Sequence, residues 1–328
     1  MIDTGLALTA ICLIATIMLL SLYIGWAKQR LVDTPNERSA HVEATPTGGG
    51  IVFLSVWAAT LAAAALIIPG QASGALALGP PVVCLMWLGW LDDRTPLPTS
   101  VRFAVQFGCA GLFLLLWPWP ALPEGWTVPL VIVALLYLVY SANITNFMDG
   151  IDGIVALQML GFVVGALLTL PVNALSLPVM LIGAAVLAFF LFNRPPAKLF
   201  MGDSGSAPLG LFVAAVTLAV AAANWRYGLA LLLLQGVFLS DSAITLLRRF
   251  LRRQNVTQAH SEHAYQHAKR HWGHARVTYA LLAVTALVQI PVAYAIAHGH
   301  LPFWAAAVDF ALLGLAALLF RAGTARTD

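Results

Sequence analysis

The sequence has very few charged residues for its length. Asp, Glu, Lys and Arg make up only 9% of its 328 residues, whereas about 25% is usual in a soluble domain. Hydrophobic residues account for 60% of the chain instead. This composition excludes an ordinary soluble domain and indicates an integral membrane protein with several spans.

Cysteine and excess charge of one sign are also scarce. Cys12, Cys84 and Cys109 lie singly in apolar stretches without a C-x-x-C spacing, so neither disulfides nor a zinc site is expected. The 17 Lys and Arg residues against 14 Asp and Glu residues give a net charge of only +3. Nothing in this balance indicates a nucleic-acid partner, and the position of the basic residues is more informative than their number.

The apolar segments predict an all-α fold of about eleven transmembrane helices. A helix needs about 20 apolar residues to cross the bilayer. The first segment lacks a basic head and is longer than the apolar part of a signal peptide, so we expect an uncleaved span with its N-terminus outside. The predicted spans are 5–26, 48–68, 75–91, 101–118, 127–144, 153–171, 174–192, 207–222, 226–247, 276–297 and 301–320.

The basic residues support this topology. With the N-terminus outside, all of the 17 Lys and Arg residues except Arg226 fall on the cytoplasmic side, as the positive-inside rule requires. The C-terminus is then cytoplasmic, and residues 1–328 form a single transmembrane domain without repeats. The long polar connections all face the cytoplasm, and they are 27–47, 92–100, 145–152, 193–206 and 248–275.

Acidic residues gather at the predicted cytoplasmic ends of the spans. A carboxylate near lipid costs about 2.5–3.5 kcal/mol on insertion scales and usually marks function. Clustered carboxylates repel one another unless a cation neutralises them, and their hard oxygen ligands select Mg²⁺ or Mn²⁺ rather than Zn²⁺. The alternative is that these acids are helix caps and interfacial charges. The six are Asp92, Asp93, Asp149, Asp152, Asp203 and Asp241.

Two other patterns are consistent with a site for phosphate and a metal ion, and each has a second interpretation. The loop 248–275 is rich in arginine and histidine, which indicates either an anion-binding loop or a solvated loop of the positive-inside kind. The triple glycine Gly48-Gly49-Gly50 lacks the G-K-[ST] of a Walker loop. Taken alone, it indicates a flexible helix entry. Two glycine pairs, Gly150 with Gly153 and Gly202 with Gly205, each flank an acid, which indicates a place where backbone approaches a ligand closely.

Four ordered motifs resemble those of the polyprenyl-phosphate N-acetylhexosamine-1-phosphate transferases, the glycosyltransferase 4 family. This bacterial family includes the phospho-muramoyl-pentapeptide transferase of peptidoglycan synthesis and the enzymes that initiate O-antigen and teichoic-acid linkage synthesis. The motifs are D-T-P-N-E-R-S-A-H-V-E-A-T-P-T-G-G-G (33–50), L-D-D-R (91–94), N-I-T-N-F-M-D-G-I-D-G (143–153) and A-K-L-F-M-G-D-S-G-S (197–206).

The resemblance implies an enzyme of the bacterial inner membrane whose active site faces the cytoplasm. It would transfer a sugar-1-phosphate from a UDP-N-acetylhexosamine to undecaprenyl phosphate, releasing UMP. By motif position, the catalytic residues would be Asp92, Asp93, Asp203, His263 and His267, with the first three holding Mg²⁺ or Mn²⁺. The substrate-binding residues would be Asn146, Asp149, Asp152, Phe200, Lys198, Arg253, Asp33 and His41.

Two departures indicate which branch of the family the chain resembles. Pro96 replaces the lysine of the peptidoglycan branch's D-D-x-x-K motif, and H-A-Y-Q-H (263–267) replaces its run of three histidines. The O-antigen or surface-glycan branch is therefore favoured over the pentapeptide transferase. An ion-coupled transporter, the alternative from another class, would place its acids at the bilayer midplane. The sequence leaves the choice of sugar and the formation of a homodimer open.

Overall fold

The computed structural model describes residues 2–33, 44–121, 125–255 and 260–324. Helices dominate this part of the chain, which confirms the predicted all-α fold. The helices are α1 (Ile2–Arg30), α2 (Gly49–Ile67), α3 (Ala72–Arg94), α4 (Thr99–Leu116), α5 (Thr127–Phe147), α6 (Ile154–Thr169), α7 (Ser176–Asn193), α8 (Asp203–Ala223), α9 (Trp225–Leu233), α10 (Gly236–Leu251), α11 (Ala264–Val284), α12 (Ile290–Ala297) and α13 (Ala305–Leu319).

Three short elements complete the described structure. A π-helical turn, Thr285–Gln289, joins α11 to α12. Strands β1 (Val32–Asp33) and β2 (Thr45–Pro46) pair antiparallel and place Val32 opposite Pro46. The strands close the connection between α1 and α2, so they fix where Asp33 lies.

Each of the eleven predicted spans overlaps a helix, but the helices differ in length. Within the described ranges, eight helical segments are long and apolar enough to cross a membrane, and α9 with α10 makes a bent ninth. The remaining two, α6 and α13, are apolar but have only 16 and 15 residues. The predicted orientation of the termini stays a prediction.

The ninth predicted span, 226–247, is not continuous, because α9 and α10 meet at an angle of 70°. The break frees backbone carbonyls in an apolar environment, where each must find a donor. Gln289 donates to the carbonyl of Leu233 at 2.7 Å, and Gln158 donates to that of Leu234 at 2.6 Å. Two side-chain amides from elsewhere in the chain, that of Gln289 buried and that of Gln158 partly buried, thus stabilise a bend that hydropathy alone does not reveal.

Several predicted loops are shorter than expected because the helices extend into them. Asp92 and Asp93 lie in the last turn of α3 instead of following it, and Asp203 is the first residue of α8. The expected loop 248–275 is largely helical: α10 runs to Leu251 and α11 begins at Ala264, with one non-helical residue at Gly273. The acids are therefore held by helix ends, which are stiffer than loops.

Helix α8 forms the centre of the molecule. Nearly all of its first eighteen residues are buried, and it packs against α2, α3, α5 and α9. Its apolar core includes Leu209, Phe212 and Val216, which are fully buried. The rigidity of this packing fixes the N-terminal end of α8, where Asp203 lies.

Candidate active site

Two glycines allow neighbouring helices to approach the first turn of α8 closely. A Cβ at Gly89 of α3 would collide with the backbone of Asp203, and one at Gly50 of α2 would collide with the backbone of Ser204 and Gly205. Backbone has no rotamer by which to move away from such a contact. Glycine is therefore needed at both positions to set the position of Asp203.

The triple-glycine motif also holds the segment that precedes α8. The amides of Gly49 and Gly50 donate to the carbonyls of Phe200 and Met201, each at 2.9 Å, and the amide of Phe200 donates to Pro46 at 2.8 Å. These bonds satisfy backbone groups at the start of α2, which have no partner within the helix. The motif thus positions Phe200, and a flexible helix entry is the wrong interpretation of it.

Asp93 caps the N-terminus of α8 from another helix. Its two carboxylate oxygens accept hydrogen bonds from the amides of Asp203 and Ser204, at 2.8 and 3.2 Å. A carboxylate at a helix N-terminus satisfies unpaired N–H groups and interacts favourably with the helix dipole. Asp93 therefore fixes the orientation of Asp203, while its predicted part in holding a metal stays a prediction.

Asp92 forms an ion pair with Arg102, a residue that the motifs did not single out. The Nη1 atom of Arg102 lies 3.0 Å from Asp92 Oδ2 and 4.0 Å from Asp203 Oδ2. Asp92 also accepts a hydrogen bond from the amide of Leu97 at 2.6 Å. One signal in the sequence could have identified Arg102: a cation in the first turns of a helix opposes the helix dipole, which indicates a specific partner.

Five aspartates line one cavity of about 400 Å³, which we call the carboxylate cavity. They come from β1, the end of α3, the connection between α5 and α6, and the start of α8. The described residues that line it include no Lys, Arg or His. The predicted site residues in this lining are Asp33, Asp93, Asp149, Asp152, Phe200 and Asp203.

Among the described residues, the carboxylates of the carboxylate cavity lie close enough to affect one another's ionisation. Burial, together with the carboxylates of Asp203, Asp93 and Asp152, raises the pKa of Asp149 to about 8. No three His, Cys, Asp or Glu side chains of the described residues form a ready-made metal cluster. Carboxylate oxygens are the kind of ligand that Mg²⁺ and Mn²⁺ prefer, and the predicted metal stays a prediction.

A second cavity, the apolar groove, has a volume of about 330 Å³ and lies between α3, α4, α5, α8 and α10. Its walls include Leu85, Phe103 and Leu136, and its polar end carries Asp92, Arg102, Asn146 and Asp203. Asp203 lines both cavities. The carboxylate of Asp203 therefore lies between the apolar groove and the carboxylate cavity.

The predicted catalytic histidines line neither cavity. His263 is buried and precedes the first residue of α11, with its Nδ1 atom 3.2 Å from Asp241 Oδ1. Asp241 also accepts the amides of Ala264 and Tyr265, at 2.9 and 3.1 Å. Asp241, which had no predicted role, therefore caps the N-terminus of α11. The residues that it caps lie more than 20 positions further along the chain.

Three predicted residues, one of them the second catalytic histidine, are not brought to the site by the described structure. Among the described residues, His267, Lys198 and Arg253 do not line the carboxylate cavity or the apolar groove. His41 lies outside the described residues. Their predicted roles stay predictions.

Comparisons with known proteins agree in the kind of protein that they identify. The family described as glycosyl transferase family 4 matches residues 75–221. A probable undecaprenyl-phosphate N-acetylglucosaminyl 1-phosphate transferase of Bacillus subtilis (strain 168) is 31% identical over 252 residues, which cover 71% of this chain and 68% of that protein.

Two further relatives are matched over shorter regions. A phospho-N-acetylmuramoyl-pentapeptide-transferase of Synechococcus elongatus is 32% identical, with 62% of this chain and 60% of that protein covered. A decaprenyl-phosphate N-acetylglucosaminephosphotransferase of Mycobacterium tuberculosis is 34% identical, with 57% and 52% covered. The chain thus spans less than two thirds of the length of these two relatives.

Proposed function

Starting from the chain's membership of glycosyl transferase family 4, we propose that it transfers a HexNAc-1-phosphate from a UDP-N-acetylhexosamine to undecaprenyl phosphate. The products are undecaprenyl-diphosphate-HexNAc and UMP. The observation that carries the proposal is the meeting of the apolar groove and the carboxylate cavity at Asp203. A lipid acceptor needs an apolar compartment and a polar donor needs a polar one, and the two must meet where the reaction takes place.

The apolar groove suits the acceptor. Its aliphatic and aromatic walls can take up part of an isoprenoid chain directly from the lipid. Arg102 at its polar end can pair with the lipid phosphate, because a guanidinium matches the geometry of phosphate oxygens. We propose Asp92, which lies 3.0 Å from that guanidinium, as the base that would accept a proton from the lipid phosphate.

The carboxylate cavity suits the donor together with a divalent cation. Two like charges 4 Å apart repel by about 4 kcal/mol at an effective dielectric constant of 20, so an anionic diphosphate needs compensation in this cavity. We propose Mg²⁺, with Mn²⁺ as an alternative, held by Asp203 with Asp92 and Asp93; when bound, it would neutralise phosphate charge. Asp149, Asp152 and Phe200 would bind and orient the nucleotide sugar, so that catalysis consists largely of positioning.

We propose that the product initiates an O-antigen or a related surface polysaccharide, with UDP-GlcNAc or a 6-deoxy-HexNAc nucleotide as the donor. Pro96 and the H-A-Y-Q-H segment support this branch. The second candidate is the pentapeptide transferase of peptidoglycan synthesis, which is favoured by the similarity to the Synechococcus elongatus protein. We place the enzyme in the bacterial inner membrane.

The test is an assay of membranes that contain the chain, with undecaprenyl phosphate and a panel of UDP-HexNAc donors that includes UDP-MurNAc-pentapeptide. We expect UMP release and a lipid-linked HexNAc from at least one small donor, and neither from the pentapeptide donor. Activity with the pentapeptide alone would select the second candidate. An absence of both products with every donor would refute the transferase.

Replacing Arg102 by glutamine should weaken binding of the lipid acceptor. The variant removes a charge-assisted hydrogen bond, worth about 1.5 kcal/mol or more, which corresponds to a rise in the KM for undecaprenyl phosphate of about tenfold. Steady-state kinetics with each substrate varied in turn provide the measurement. Arg30→Gln, at the exposed end of α1, is the control and should change neither KM; a similar effect in both variants would contradict the assignment.

The proposed orientation can be tested with two single cysteines at the ends of one span. Ala264–Ala297 is apolar and long enough to cross the membrane, and His271 and His300 are exposed at its two ends. In a chain whose three cysteines are replaced by alanine, we expect His271→Cys to react with an impermeant maleimide only after the cells are opened. His300→Cys should react in intact cells, and the reverse pattern would place the active site outside.

A further inference from the structure

The start of α11 is attached firmly to α10, which gives Tyr265 a defined position. The carboxylate of Asp241 accepts the amides of Ala264 and Tyr265, and it also accepts the hydroxyl of Thr245 at 3.1 Å. Tyr265 itself is only 3% exposed. A buried tyrosine on a fixed backbone has little freedom to move, and its hydroxyl needs a partner.

The partner of Tyr265 lies at the end of α5. Its hydroxyl donates to the carbonyl of Phe147 at 3.0 Å, and Phe147 is the last residue of that helix. The last carbonyls of a helix have no partner within it. The tyrosine also lies against Gly150, where a Cβ would collide with the hydroxyl, so it contacts the chain on both sides of Asp149.

Helix α11 holds the other end of the same connection. The hydroxyl of Thr278 donates to the carbonyl of Asp152 at 2.9 Å, and His274 Nδ1 lies 3.3 Å from Asp152 Oδ1. The connection 148–153 between α5 and α6 is thus attached to α11 near both ends. Residues 149–152 of this connection all line the carboxylate cavity, and none of them lines the apolar groove.

We propose that Tyr265 is a positioning residue for the nucleotide-sugar donor: it holds the connection 148–153 so that Asp149 and Asp152 keep their places in the carboxylate cavity. The inference rests on the proposed function and deepens it. The segment H-A-Y-Q-H (263–267) then acts on the donor through Tyr265, and Asp241 fixes the backbone of Tyr265. Because the apolar groove contains none of residues 149–152, the effect should be confined to the donor.

The test is the kinetics of Tyr265→Phe, which keeps the ring and removes only the hydroxyl. The loss of one hydrogen bond should raise the KM for the UDP-HexNAc by up to about tenfold. The KM for undecaprenyl phosphate and kcat should stay within about twofold of the wild type. Tyr279→Phe, at an exposed position of the same helix, is the matched control and should leave all three constants unchanged.

Thr278→Val provides a second variant, because it removes the hydrogen bond at the other end of the connection. It should raise the donor KM in the same way, while thermal unfolding of both variants stays close to that of the wild type. A donor KM unchanged in Tyr265→Phe, or raised equally with the acceptor KM, would overturn the proposal.

Failure of the proposed function would be seen separately, in a wild-type chain that releases no UMP with any donor. The binding of UDP to the purified full chain then decides the role of Tyr265. Weaker binding by Tyr265→Phe than by Tyr279→Phe supports the positioning role, and equal binding by the two variants refutes it.

Discussion

Asp203→Asn should lower sugar-phosphate transfer by about a thousandfold or more, in a protein that still folds. The substitution keeps the shape of the side chain but removes the one carboxylate shared by the carboxylate cavity and the apolar groove. A metal ion stabilises transition-state charge by several kcal/mol, and about 4 kcal/mol corresponds to a thousandfold in rate. The cap by Asp93 is kept, because it uses the backbone amide of residue 203.

The measurement is UMP release at saturating donor, acceptor and Mg²⁺, together with thermal unfolding of the purified variant. Asp309→Asn is the control, since Asp309 is a buried aspartate in an apolar helix, and within the described chain it lines neither cavity. The control should keep most of its activity. If Asp203→Asn retains a tenth of wild-type activity at high Mg²⁺, Asp203 is not the principal metal ligand.

Gly89→Ala should lower both stability and activity, because its methyl group would collide with the backbone of Asp203. Overpacking of a well-packed interior costs about 1–3 kcal/mol. The start of α8 would have to shift away from α3, and a displacement of about 1 Å at a reacting group can cost a hundredfold in rate. We therefore expect a lower unfolding temperature and a transfer rate reduced by about a hundredfold.

Gly74→Ala on the same helix is the matched control for this prediction. A Cβ at Gly74 would lie 3.9 Å from the backbone oxygen of Ala174, which is an ordinary contact. Since alanine is the better helix former by about 1 kcal/mol, this variant should be as stable and as active as the wild type. Equal losses in both variants would show that general helix packing, and not the contact with Asp203, is responsible.

Much of the fold could be predicted because hydropathy is a local property of the sequence. Every predicted span overlaps a helix, and the two shortest, 75–91 and 207–222, correspond to α3 and α8 of 23 and 21 residues. The break between Leu233 and Gly236 could not be predicted in this way. It depends on donors from Gln289 and Gln158, which lie far away in the sequence.

The sequence by itself determined a membrane fold with most of its aspartates towards the ends of the spans, because a charge in the middle of a span is costly. Only the tertiary structure decided what each carboxylate does. Asp93 and Asp203 are separated by 110 positions, yet one orients the other, while Asp241 caps α11. These roles depend on which helix ends meet in space. For Asp93 and Asp203 that meeting is set by the packing of backbone on backbone at Gly50 and Gly89.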